Sequence, residues 1–246
     1  NQRRILTKII STILGKNRLP MLIIDKNPSE NKKESFNARA VAIYGFSIFG
    51  TNHTFVLDDN GKIKYDVLND FLKKYSQKKF FIFGFTSYVY DHLINQLSSK
   101  SLKYNLKNGI LLHGGGWKKM ESIKVSNLIF KNKLKYKLKL KNIYNYYGLV
   151  EQTGSIFLDC IKCGNFITSI YSDVIIRDKF FNEINSGKGI IQLLSLLPTS
   201  YPGHNILTED IGEIVNDSDC ICSSKGKRFK VYGRNKDSEI RGCSDV

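Results

Sequence analysis

Four short groups of residues in this chain have types and spacings that suit chemistry on a phosphorylated ligand. The first is Leu112-His113-Gly114-Gly115-Gly116-Trp117-Lys118. Three consecutive glycines let a backbone come close to a flat or phosphorylated group, and their amides can donate to anions. The second is Tyr146-Tyr147-Gly148-Leu149-Val150-Glu151-Gln152-Thr153-Gly154. A carboxylate in such a turn can hold Mg²⁺, and an aromatic ring beside it can stack on a base. The third is Leu207-Thr208-Glu209-Asp210-Ile211-Gly212-Glu213-Ile214. Asp210, between a polar turn and a strand, suits hydrogen bonds from ribose hydroxyls. The fourth is Val231-Tyr232-Gly233-Arg234-Asn235-Lys236-Asp237, followed by Glu239-Ile240-Arg241-Gly242. Taken singly, each group also reads as an ordinary glycine turn or a solvated acidic turn.

The five cysteines divide by position. Cys160-x-x-Cys163 and Cys220-x-Cys222 are paired spacings. In a reducing compartment such pairs point to structural Zn²⁺ rather than to disulfides; reduced, unligated thiols are the alternative. Cys243 stands apart, near the fourth group. His113 and His204 are placed to line a site, or to pack as ordinary core or surface histidines.

The elements that must position these residues follow from periodicity. Met21–Ile24, Thr54–Leu57, Phe80–Phe83 and Ile110–Leu112 read as strands. Between them, residues 34–49, 65–75 and 87–97 read as helices, with Ala38, Val41, Ala42 and Tyr44 expected on the inward face of the first. The helix at 65–75 repeats Val67, Leu68, Phe71 and Leu72 on one side. This rhythm predicts an α/β fold with a mostly parallel sheet covered by helices. After about Tyr144 short strand-like runs follow one another (155–158, 167–176, 190–194, 212–215 and 229–232), which predicts a β-rich lobe. Residues 131–141 alternate Lys with Leu or Tyr and read as a strand with one solvated face, a surface helix being the rival. The resulting division is 1–143 for the α/β part, 144–232 for the β-rich lobe, and 233–246 for a hinge and the expected start of a C-terminal domain.

A chain of 246 residues with 41% hydrophobic and 12% aromatic residues is ordinary globular material. No run approaches the length of a membrane span, and the N-terminus has no signal-peptide pattern, so a cytoplasmic protein is expected. The net charge of +16 raises the question of nucleic acid. However, 30 of the 38 basic residues are lysine, whereas phosphate and base recognition favours the planar arginine fork. No nucleic-acid partner is expected.

The order of the four groups is more specific than any one of them. A Gly-rich loop, then Tyr-Gly-x-x-Glu, then Thr-x-Asp-x-Gly, then Gly-Arg-x-x-Asp resembles the core motifs of adenylate-forming enzymes. The words His113–Lys118, Tyr147–Gly154, Ser200-Tyr201-Pro202-Gly203-His204 and Arg241-Gly242-Cys243 narrow the resemblance to the acyl-protein synthetase (LuxE-type) family, known from bioluminescence systems. The likeness is strongest from about Ile110 to Cys243.

That resemblance implies ATP and Mg²⁺ as cofactors, a fatty or other carboxylic acid as substrate, and an acyl-accepting protein such as a reductase as partner. It implies that Glu151 holds Mg²⁺, that Asp210 binds ribose hydroxyls and that Arg234 contacts ribose or phosphate. Gly114, Gly115, Gly116, Tyr147 and Gly148 would shape the adenine and acyl pocket. Asp237 matches the family's hinge, and Cys243 is a candidate acyl-accepting thiol. The family's Ser/Thr/Gly-rich phosphate loop and its small C-terminal domain find no match in these residues. The expectation is therefore the larger part of an acyl-activating ligase; the alternative is a degenerate module that binds nucleotide or acyl groups without chemistry.

Overall fold

A computed structural model describes residues 2–30, 37–97, 104–152, 154–216, 222 and 225–235. The described residues form two compact units, one of Ser11–Asn145, the other of residues 2–10 with 146–235.

The first helix, α1 (Gln2–Leu14), was not signalled by the sequence reading. The unit from Ser11 then alternates strands and helices: β1 (Leu19–Ile24), α2 (Ala38–Ser47), β2 (Gly50–Phe55), α3 (Tyr65–Tyr75) and β3 (Phe80–Phe85). The chain continues through α4 (Thr86–Tyr88) into a π-helical segment, Val89–Leu97, and then β4 (Gly109–Gly114) and α5 (Asn127–Leu138). Strand β1 lies between β2 and β3, and β3 pairs with β4, all in parallel. Every position of β3 and β4 is buried. Helices on a parallel sheet require apolar strands of this kind. The mixed α/β class and the expected parallel sheet are found here.

Two local expectations are corrected in this unit. Helix α2 buries Ala40, Ile43 and Phe46 and leaves Val41 and Tyr44 exposed, so it presents the opposite face from the one expected. Its segment is apolar nearly all round, and its periodicity did not select a face. The lysine-rich segment is helical rather than extended. Ser126 caps α5 by accepting from the Ile129 amide, and Phe130, Leu134 and Leu138 are buried at a helical spacing. Lys139 ends it in the left-handed region at φ 57°. The Lys-Leu alternation masked this i, i+4 repeat.

The other unit is a ladder of antiparallel strands. The last residues of β5 (Asn142–Tyr147) pair with β6 (Phe157–Asp159), and β6 with β7 (Phe166–Ile167). Beyond them come β8 (Ser172–Arg177), β9 (Glu183–Ile184), β10 (Gly189–Ser195), β11 (Asn205–Val215) and β12 (Arg228–Arg234). Strand β7 pairs with β12, β12 with β11, β11 with β10, β10 with β8 and β8 with β9. Phe157, Phe166, Val174, Ile176, Ile191, Leu193 and Phe229 form its core. Phe157 meets Phe229 edge-on at 5.2 Å, the geometry that ring quadrupoles favour. Among the described residues no helix is long and apolar enough to cross a membrane.

Candidate active site

Strand β4 delivers the Gly-rich loop. His113 and Gly114 are its last residues, and the chain turns at Gly115 with φ 77°. That conformation is open to glycine and strained for other residues. A Cβ on Gly115 would stand 3.1 Å from the Phe85 ring, while Gly116 has open space. The loop thus lies at the carboxyl end of a parallel strand, where open α/β sheets bind ligands.

His113 is buried and structural in its contacts. Its ring packs on Phe130 at 4.5 Å, and Nδ1 is 3.0 Å from the Thr86 hydroxyl. Thr86 also donates to the Gly114 carbonyl at 3.1 Å. Burial, then the neighbouring Lys131 ammonium, hold the imidazole pKa down to about 3. The ring is therefore neutral at any ordinary pH. Thr86 was not among the residues singled out by sequence; nothing in its local pattern marks it.

The antiparallel unit brings three of the expected site residues together. Tyr147 closes β5, and its hydroxyl donates to Asp210 Oδ2 at 2.7 Å. The Tyr147 ring packs against Phe157, Phe166 and Phe229 at 5.8–6.3 Å between centroids. Burial, followed by the Asp210 carboxylate, pushes the phenol well above its ordinary pKa. Asp210 and Arg234 face each other in register across β11 and β12. The Arg234 guanidinium lies 3.5 Å from Glu209, at the surface. Thr208 fixes the Asp210 backbone: its hydroxyl accepts from the Asp210 amide at 3.0 Å and donates to the Ile191 carbonyl at 2.8 Å. Among the described residues Asp210 Oδ1 accepts no hydrogen bond, which leaves it open to a hydroxyl donor.

Glu151 sits on a 3₁₀ turn, Val150–Gln152, and its side chain is exposed. The turn is tightly held. A Cβ on Gly148 would stand 3.0 Å from the Ser155 carbonyl oxygen. Gly154 has φ 88°, and a Cβ there would come within 2.9 Å of Gln2 at the start of α1. A single exposed carboxylate fits nucleotide-bound Mg²⁺, which keeps waters and phosphate oxygens as its other ligands.

The cysteine expectation gains no support. Cys160 and Cys163 lie in the turn between β6 and β7, where Cys160 Sγ accepts from the Lys162 amide at 3.4 Å. Cys222 accepts from the Arg228 guanidinium at 3.3 Å, so a cation already faces that sulfur. Among the described residues no group of three or more His, Cys, Asp and Glu could hold a metal ion. Cys220, Asp237 and Cys243 lie outside the described residues. His204 is exposed at the end of the Ser200–His204 loop.

These features meet solved structures of one class. An open form of 2-hydroxyisobutyryl-CoA ligase with 2-HIB-AMP and CoA matches with a TM-score of 0.69 at 14% identity, over 96% of this chain and 53% of that one. ATP-bound MatB from Rhodopseudomonas palustris matches with a TM-score of 0.60 at 11% identity, over 95% and 44%. The inhibitor-bound N-terminal domain of FACL13 from Mycobacterium tuberculosis gives 0.58 at 11% identity, over 95% and 55%. The fold is that of the adenylate-forming ligases, and the chain spans about half the length of these relatives. No curated protein sequence matches the chain. The family model for acyl-protein synthetase, LuxE, matches residues 1–246, and the chain belongs to that family.

Proposed function

We propose that the protein carrying this chain activates a carboxylic acid with ATP, forming an acyl-adenylate and pyrophosphate, and passes the acyl group to a protein thiol. The observation that carries this reading is the Tyr147–Asp210–Arg234 arrangement on β5, β11 and β12, in a chain whose four motifs keep the family order. In the reaction, an oxygen of the acid's carboxylate bonds to the α-phosphorus of ATP. The bond from that phosphorus to the bridging oxygen breaks, and pyrophosphate leaves with the electron pair. Charge gathers on non-bridging oxygens, so fixed donors and cations lower the barrier.

Each residue has a defined part in this reading. Asp210, oriented by Tyr147, accepts from the ribose hydroxyls through its open oxygen. Arg234 contacts ribose or phosphate. The glycine loop at Gly114–Gly116 allows close approach of the ligand and offers its amides. Magnesium, held in part by Glu151, would neutralise phosphate charge. Residues 233–246 serve as the hinge, with Asp237 at the pivot, and Cys243 is a candidate for the accepting thiol. A fatty acid is the proposed substrate and a reductase the proposed acceptor. Acid-dependent ATP–pyrophosphate exchange tests the first half. Transfer of labelled acid to a hydroxylamine-sensitive thioester on a candidate acceptor tests the second, and a label that resists hydroxylamine would exclude thiol transfer.

A further inference from the structure

The segment Ser200–His204 has no part in the functions assigned above, yet it lies against the Glu151 turn. Gly203 is the point of contact. A Cβ there would stand 2.6 Å from the Glu151 carbonyl oxygen and would also meet the Tyr201 ring. The ring is a partly exposed side chain and can move aside; a backbone carbonyl can do so only if its turn moves with it. Glycine at 203 is thus set by proximity to Glu151, since its backbone is not in the left-handed region.

The loop is itself anchored at its base. The Ser195 amide donates to the His204 carbonyl at 2.8 Å, and Ser195 Oγ accepts from the Leu197 amide at 3.1 Å. The same buried hydroxyl hydrogen-bonds with Ser155, just beyond the Glu151 turn. Gln152, fully buried beside Glu151, donates from Nε2 to the Leu193 carbonyl of β10 at 3.1 Å. One strand end and its following loop therefore grip the turn on both sides of the carboxylate.

We propose that Gly203, Ser195 and Gln152 are positioning residues that aim the Glu151 carboxylate, with the Ser200–His204 loop as a rigid stop behind it. The inference rests on the reading of Glu151 as a magnesium-binding residue. Groups behind a metal ligand set its orientation, and their loss weakens metal affinity more than it changes ligand chemistry.

The test uses the full-length protein and reads two quantities across a magnesium titration: the affinity for magnesium–ATP by titration calorimetry, which needs no turnover, and the rate of ATP–pyrophosphate exchange. Gly203→Ala is expected to raise the Mg²⁺ concentration for half-maximal exchange on the order of tenfold, with kcat at saturating Mg²⁺ close to wild type. Ser195→Ala is expected to shift it in the same direction by a smaller factor, and it decides the matter if Gly203→Ala does not fold. A merely structural lesion would instead lower kcat at every Mg²⁺ concentration by reducing the folded fraction. The positioning role is overturned if Glu151→Gln raises the magnesium requirement while Gly203→Ala and Ser195→Ala leave it at wild type. If Glu151→Gln leaves it unchanged, the magnesium reading of Glu151 fails, and the positioning role fails with it.

Discussion

The Tyr147 hydroxyl donates a 2.7 Å hydrogen bond to Asp210 Oδ2 across 63 positions of sequence. It joins two motifs, and among the described residues it leaves the other carboxylate oxygen of Asp210 without a hydrogen bond. The phenylalanine variant separates its contributions. Tyr147→Phe keeps the ring among Phe157, Phe166 and Phe229 and removes only the donor. The loss is expected to cost about 1–2 kcal/mol of stability, the low end for a bond to a charged group because the Tyr147 side chain keeps some contact with solvent. A fall of that order in binding would raise the ATP KM roughly 5- to 30-fold. Chemical denaturation and KM measurements check both; a variant indistinguishable from wild type in each would show that the bond orients nothing.

The same bond has a pH signature. The raised phenol pKa means that the folded state holds its proton more tightly than the unfolded state. Its contribution to stability is complete below about pH 10, the ordinary tyrosine value, and is lost as pH rises toward the folded value. Tyr147→Phe should flatten the alkaline limb of a stability profile. An unchanged limb would assign the loss to other groups.

Glu151→Gln and Asp210→Ala are each expected to lower adenylation by at least about tenfold, since each removes a charge-assisted contact of roughly 1.5–3 kcal/mol. Both residues lie outside the buried core, so circular dichroism should remain that of wild type. Near-normal exchange in both variants would show that these carboxylates do not serve the nucleotide.

His113 provides a prediction independent of activity. Its pKa of about 3 places it in the neutral form from pH 4 to 8. A depressed histidine pKa opposes folding in acid: the unfolded chain takes up a proton below pH 6.5, so stability drops as pH falls toward the folded value. Nuclear magnetic resonance of the ring, assigned with a His113→Asn variant, should show no titration across that range. A midpoint near 6 would mean that the ring is solvated and the Thr86 contact is not maintained.

Much of the parallel unit was legible because β3 is apolar throughout and β4 is so except for His113, and because residues 65–75 carry a clear helical repeat. The failures have physical causes. Helix α2 carries apolar residues on its exposed face too, so hydrophobicity did not mark its inward side. In α5 the buried Phe130, Leu134 and Leu138 are separated by lysines, whose alternation imitates a strand. The motifs located the candidate site residues, but not what holds them. Thr86, Thr208, Ser195 and Gln152 act through hydrogen bonds whose partners lie up to 41 residues away, and no local pattern encodes such pairs.

The turn around Glu151 also makes a stability prediction. Gly154→Ala places a Cβ at φ 88° and within 2.9 Å of Gln2, and should cost on the order of 1–3 kcal/mol for a left-handed residue without glycine's freedom. Thermal melting measures it. A melting temperature equal to wild type would mean that α1 does not pack on this turn.

The central claim is that this family member forms an acyl-adenylate. Exchange of labelled pyrophosphate into ATP, measured with the full-length protein against a panel of short to long fatty acids and aromatic acids, tests it most directly. The account predicts exchange that needs both magnesium and one class of acid, and that falls at least about tenfold in Asp210→Ala. Exchange absent across the whole panel, in a protein that still binds ATP, would contradict it and would favour a nucleotide-binding module without this chemistry.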